Sequence, residues 1–355
     1  MRRNGPGFFH AEGPRKGVRH DSFQTGILED GSGDGDVRLA STASGRRSRA
    51  IWEDQGDGIA TLFDDLPGDL GLKIYAPSPK GKPGFTVQAN ADKVLFAAST
   101  IKTFAICEAL RQADSPDIVD ALETKELPLD ASVWSLGSLI FNPPALSGMV
   151  SERTALEAMI LQSDNTATDM IFNLAGVDNI RKFIASAGLL QTRVPDNTRI
   201  FTGYVFGAEN YKTITWDELL KVAGEGRIAH PFLNDVETLA STAADFITYY
   251  SQALHGRFFQ HGETLQEFRR ILTLCDFIYL IPVPLGVSVY LKSGNVDFSG
   301  FHARAIAGGM FFDDRWVYFA FILNWYAPEA DDPQTVQKFF AAIHEALRRV
   351  RDALS

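Results

Sequence analysis

Cysteine is scarce in this chain of 355 residues, which has only Cys107 and Cys275. Two thiols exclude a disulfide framework, though not a single bridge. Both stand in apolar stretches, where cysteine behaves as a small buried hydrophobe. No Cys/His spacing of the zinc-binding kind occurs, and His230, His255 and His261 do not fall four apart on one helix around a glutamate. No metal or other cofactor is expected. Long apolar runs are missing as well. The longest, Val317 to Leu323, is far short of a bilayer span and reads as a core strand. Arg2-Arg3 is not followed by an apolar stretch, so no export signal is expected in the chain as written. An excess of positive charge is also lacking. Lys and Arg number 34 against 44 Asp and Glu, a net charge of −10, which argues against the basic face of a nucleic-acid binder.

What is present fits a globular protein with a large core: 45% apolar residues and 22% charged. Residues 1–50 differ. They hold nine glycines, nine basic and six acidic residues without a helical or strand period, and are expected to form a disordered tail ending in Arg46, Arg47 and Arg49. Residues 51–355 read as one domain. Leu72 to Tyr75 and Phe85 to Gln88 read as strands, and a helical lobe is expected over about 100–284. Val287 to Leu291, His302 to Phe312 and Trp316 to Trp325 read as further strands, the last two joined by a turn at Asp313-Asp314. Val336, Phe339, Phe340, Ile343, Leu347, Val350 and Leu354 mark one apolar stripe of a final helix. This order predicts an α/β fold of the α+β type. An antiparallel sheet built from both chain ends is flanked by helices, and a mostly helical lobe is inserted between them.

Three short elements carry chemistry: Ser99-Thr-Ile-Lys102, Ser163-Asp164-Asn165 and Lys292-Ser293-Gly294. Ser99 and Lys102 precede an apolar helical run, and at i, i+3 on a first turn they share a face. A serine hydroxyl needs a base within hydrogen-bond reach. A lysine serves only when burial or a second cation such as Lys292 lowers its pKa. Ser163-Asp164-Asn165 lies between two helical patterns and also suits a helix N-cap. Ser163 could pass a proton to a leaving nitrogen, while Asn165 bonds substrate and Lys102. Lys292-Ser293-Gly294 ends a strand-like run. Lys292 and Ser293 would hold a substrate carboxylate, and Gly294 would allow close backbone approach. The N–H of Asn295 would join that of Ser99 in an oxyanion hole.

Together these elements resemble the class A β-lactamases and penicillin-binding proteins. Phe96-Ala-Ala-Ser-Thr-Ile-Lys-Thr, Gly148-Met149 and Ser163-Asp-Asn-Thr-Ala also resemble class A sequence, as does Arg304 ahead of Ala305-Ile306-Ala307, a candidate carboxylate partner. The resemblance covers about residues 55–350. It implies a serine hydrolase, acylated at Ser99, that acts on a small-molecule β-lactam or related amide or ester as a monomer. It also implies an exported protein. The family's deacylating glutamate, in a Glu-x-x-Leu-Asn type stretch, has no match. An insertion is expected around 195–230. The nearest local likeness, His230-Pro231-Phe232-Leu233-Asn234, puts His230 and Asn234 where that glutamate and asparagine belong. His230 is then either the base that positions the deacylating water or an ordinary loop histidine. The same elements would serve a D-Ala-D-Ala peptidase, a small esterase, or a β-lactam sensor that acylates once.

Overall fold

The computed structural model describes residues 58–78, 84–276 and 283–355, and the tail expected over residues 1–50 lies outside them. The chain divides into residues 1–55 and 56–355, and every described residue belongs to the second unit. Strands β1 (Asp69–Ala76) and β2 (Phe85–Ala89) are followed by the two-residue β3 (Leu95–Phe96) and a 3-10 turn, Ala98–Ile101. Helices α1 (Lys102–Gln112) and α2 (Ile118–Thr124) lead to a ribbon of β4 (Glu126–Leu129) and β5 (Gly148–Ser151). Then come α3 (Glu152–Leu161), α4 (Asn165–Ala175), α5 (Val177–Ser186), α6 (Thr198–Val205) and α7 (Trp216–Gly224). The short β6 (Ala240–Ser241) pairs with β3 and precedes α8 (Ala243–Ala253) and α9 (Gly262–Leu272). Three long strands, β7 (Ser288–Phe298), β8 (Phe301–Phe312) and β9 (Arg315–Trp325), and the helix α10 (Pro333–Leu354) complete the fold.

The sheet is antiparallel in the order β2-β1-β9-β8-β7, so strands from the two chain ends meet at the β1–β9 pair. The hairpin between β8 and β9 turns at Asp313 and Asp314, both at positive φ, as the sequence predicts. Almost every residue of β9 is buried, which requires cover on both faces of the sheet. Helix α8 packs against β9, and the ring of Phe63 bridges Phe321 of β9 to Phe339 of α10. On α10 the buried stripe is Phe339, Ala342, Ile343, Ala346, Leu347, Val350 and Leu354, with Val336 and Phe340 only half-buried. Cys107 and Cys275 are both free thiols and buried. No helix among the described residues is long and apolar enough to cross a membrane.

The stretch expected to hold an insertion folds as α6, a 3-10 turn over Tyr211–Thr213, and α7. It carries a small core of its own. Ala208, Ile214, Trp216 and Leu219 are buried together against Trp134 and Leu136 of the loop after β4.

Candidate active site

Ser99 sits where the sheet meets the helices, and its turn is pinned from several sides. The Phe96 N–H donates to Asn324 Oδ1 at 2.8 Å, and Asn324 Nδ2 donates back to the Phe96 carbonyl at 2.9 Å. Ala97 N–H reaches the Leu239 carbonyl at 2.7 Å, and Thr100 Oγ1 donates to the Ala305 carbonyl. Ala98 is held at φ +48°, a left-handed conformation that costs a residue with a Cβ about 1–2 kcal/mol. Strand β7 closes the other side. A Cβ on Gly294 would lie 2.6 Å from Ser99 N and 2.7 Å from both Ala97 O and Thr100 N, so only glycine fits there.

Lys102 opens α1 and is completely buried. Its Nζ donates to the Ser163 carbonyl at 2.5 Å, Ser163 Oγ at 3.1 Å and Asn165 Oδ1 at 2.7 Å. Burial drives the ammonium pKa well below the ordinary lysine value, and the charge of Lys292 lowers it further against the pull of Asp164 and Asp169. Lys292 is itself buried on β7, with its pKa lowered by the same desolvation. A lowered pKa brings the unprotonated amine, the form that can accept a proton, closer to hand.

The loop carrying Ser163 is fixed by its neighbour. Asp164 caps α4 by accepting from Ala167 N, as the sequence allows for such a residue. Its other oxygen accepts from the amides of Ile140 and Phe141 at 2.9 Å. Ser163, at φ +57°, is thereby turned toward Lys102. Asn165 Nδ2 donates to the Leu136 carbonyl at 2.6 Å. Gly137 leaves room for that amide, because a Cβ there would stand 2.8 Å from it.

Two further residues belong to this network and were missed in the sequence. Asp169, buried one turn beyond Asn165, accepts from Thr198 N at 2.7 Å, Thr198 Oγ1 at 2.6 Å and Arg199 N at 3.1 Å. Desolvation raises its pKa to about 6 in spite of these donors. Thr198 Oγ1 also faces the Asn165 carbonyl at 3.3 Å. Asp169 anchors the first turn of α6, and that turn presents Thr198 beside Asn165. The i, i+4 spacing of Asn165 and Asp169 was a usable signal. Nothing in the sequence marked Thr198 as its partner.

Four expected residues are placed differently. His230 stacks on Tyr204 with ring centroids 4.3 Å apart, and no contact joins its ring to Ser99 or Lys102 among the described residues. Asn234 spends its amide on its own turn, donating to the Pro231 and Glu237 carbonyls and accepting from Val236 N and Glu237 N. Asn234 thus serves a tight turn of its own stretch. Ser293 is buried with its hydroxyl 3.6 Å from Cys275 Sγ instead of open to a ligand. Arg304 is paired with Asp297, whose two oxygens accept from Nη1 and Nη2. Asn295, next to Gly294, is half-buried.

No side chains of His, Cys, Asp or Glu among the described residues cluster in a way that could hold a metal ion. No curated protein matches the chain. Solved structures share the fold. A class A β-lactamase from Bacteroides cellulosilyticus is 18% identical with a TM-score of 0.63, over 86% of this chain and 98% of its own. One from Mycobacterium abscessus is 21% identical with a TM-score of 0.59, over 84% and 98%. PBP-A is 16% identical with a TM-score of 0.62, over 84% and 96%. The profile of the Beta-lactamase enzyme family matches residues 58–333, most of the chain and all three short elements, so this protein belongs to that family.

Proposed function

We propose that the protein is a serine hydrolase acylated at Ser99 by a β-lactam or a related strained amide or ester. The supporting observation is Lys102, buried with a lowered pKa, three residues from Ser99 and bonded to Ser163 and Asn165. Lys102 Nζ takes the Ser99 proton as Oγ bonds to the carbonyl carbon, a contact of the kind that tightens only when substrate is bound. The Ser99 and Asn295 N–H groups hold the oxyanion. The carbon–nitrogen bond then breaks, Ser163 gives its proton to the leaving nitrogen, and Lys102 returns one to Ser163. Water then adds to the acyl carbon, giving up a proton, and the carbon–oxygen bond to Ser99 breaks as Oγ takes a proton back.

A second reading, a lasting acyl-enzyme, is favoured by one observation. The side chain that α6 presents beside Asn165 is the hydroxyl of Thr198, committed to Asp169, and neither a carboxylate nor an imidazole. The carboxylate nearest that point, Asp169, is buried and already accepts from three donors, which leaves water without an open base there. One related structure is described as an acyl-enzyme complex of a PBP-A mutant with penicillin G.

Intact-mass spectrometry with benzylpenicillin, followed over time with Ser99→Ala as control, tests both. A mass gain of one intact penicillin in the wild type alone is expected. Its decay with product release marks turnover, and its persistence marks the second reading. Absence of any adduct across a panel of β-lactams and activated esters would defeat the proposal.

A further inference from the structure

Residues 96–100 cross one face of the sheet, and three strands each hold them at one point. The opposed residues Asn324, Ala303 and Val296 form one row across β9, β8 and β7, and Ile322, Ala305 and Gly294 form another. The rows are two residues apart, so both lie on the same face. Over β9, Phe96 is bonded to the Asn324 side chain. Over β8, Thr100 Oγ1 donates to the Ala305 carbonyl at 3.2 Å. Over β7, Gly294 lies against the amides of Ser99 and Thr100. Two strand spacings, about 10 Å, separate β9 from β7. The crossing starts at Asn324 and ends where the Ser99 N–H meets the strand that carries Asn295.

At that start Asn324 does the work of a neighbouring strand. β3 and β6 form a two-stranded sheet, with Phe96 opposite Ala240 and the Ala97 N–H on the Leu239 carbonyl. The other edge of β3 is left to one carboxamide. The Phe96 N–H donates to Asn324 Oδ1 at 2.8 Å and Nδ2 donates to the Phe96 carbonyl at 2.9 Å. Two opposed residues of an antiparallel ladder exchange the same pair of bonds. Few side chains can replace it. An ionised Asp lacks the donor, Gln is one methylene longer, and a hydroxyl offers one atom for two bonds. Phe96 and Asn324 are both buried, so losing the carboxamide would leave two backbone groups unpaired. Two residues after Phe96, Ala98 stands at φ +48°, a conformation that persists only where its surroundings over-determine it.

We infer that Asn324 is a positioning residue for acylation: by clasping Phe96 it sets the distance between the Ser99 and Asn295 amides that receive the oxyanion. This rests on acylation at Ser99 as proposed above. Asn324→Leu keeps the shape of the side chain and removes both bonds. Stopped flow with benzylpenicillin should show the acylation rate constant lowered about ten- to a hundredfold, the scale of a misplaced oxyanion donor. The dissociation constant of the noncovalent complex should stay where it is. The infrared band of the Ser99 ester carbonyl, read after rapid mixing with carbonyl-labelled benzylpenicillin, should move to higher frequency, because weaker hydrogen bonds polarise the carbonyl less. Phe339→Ala, a core change far from Ser99, should move neither rate nor band in native buffer. Asn324→Ala covers the case in which Asn324→Leu does not fold. A folded Asn324 variant with rate and band unchanged, an equal shift in Phe339→Ala, or a change confined to the dissociation constant would each overturn the inference while acylation stands. Failure of both Asn324 variants to fold would overturn it too, by making Asn324 a residue of the fold alone. Folded wild type that forms no Ser99 adduct would overturn the acylation reading and this inference with it.

Discussion

At the scale of single residues, the state of Lys102 decides the pH response. Its folded-state pKa is depressed, so below that pKa the amine is protonated and cannot take the Ser99 proton. The acylation rate should climb as pH rises through that value and level off below the ordinary lysine range. Removing the second cation should raise the Lys102 pKa, so Lys292→Gln is expected to shift the rising limb to higher pH. Acylation rates by stopped flow in both proteins measure this, and an unmoved limb would refute the electrostatic link. Asp164 supports the opposite wall of the site. Its carboxylate accepts from three amides at Ala167, Ile140 and Phe141. Asp164→Ala strands these donors and should cost about 3 kcal/mol, read by urea unfolding. Acylation should slow with it, because Ser163 and Asn165 flank that residue. The Asp164 cap was legible in the sequence, since Ser, Asp and Asn before an apolar helix mark its start. Its reach to the Ile140 loop was not, because a separation of 24 positions leaves no local pattern.

Among the elements, α6 and α7 account for the main departures from the sequence reading. β8 and β9 were legible as long apolar runs and α10 by its 3.6-residue period, whereas β7 runs on through Lys292-Ser293-Gly294 to Phe298 instead of ending there as expected. The α6–α7 segment buries a cluster of its own around Trp216, and its apolar residues answer to a small local core, not to the sheet. No sequence signal told that core apart from a loop, and His230-Pro-Phe-Leu-Asn234 was matched on letters alone. What fixes α6 to the site is Asp169, and that contact has a pH signature. Its pKa is about 6 in the fold against 3.8 as the reference, so the native state binds the extra proton between these values. The stabilising contribution is therefore complete below about pH 4 and is lost as pH rises through 6. It amounts to roughly 3 kcal/mol at 1.36 kcal/mol per unit. Asp169→Asn should flatten this part of the stability profile. Urea midpoints taken at pH 4, 5, 6 and 7 check it, and an unchanged slope in the variant would show that another group titrates.

For the whole molecule, the decisive feature is that no single half owns the site. Ser99, Lys102, Ser163 and Asn165 come from the first half of the domain, whereas Lys292 and Gly294 come from β7 near its end. Composition and strand order made this composite plan legible, because strands at both ends of a helical middle must find each other to pair. The joints were not legible. Asn324 on β9 clasping Phe96, and the close approach of Gly294 to the Ser99 amide, are contacts across some 200 residues. Such joints imply that chemistry and global fold fail together. Phe339 offers a test far from Ser99. It is fully buried on α10 and touches the sheet through Phe63. Phe339→Ala should cost about 3–5 kcal/mol as a large-to-small core change. If the sheet and helical lobe form one cooperative unit, far-UV signal and Ser99 acylation should disappear over the same urea range, shifted together to lower urea in the variant. Acylation lost well before the far-UV signal would show instead that the lobe carrying Ser99 can open alone.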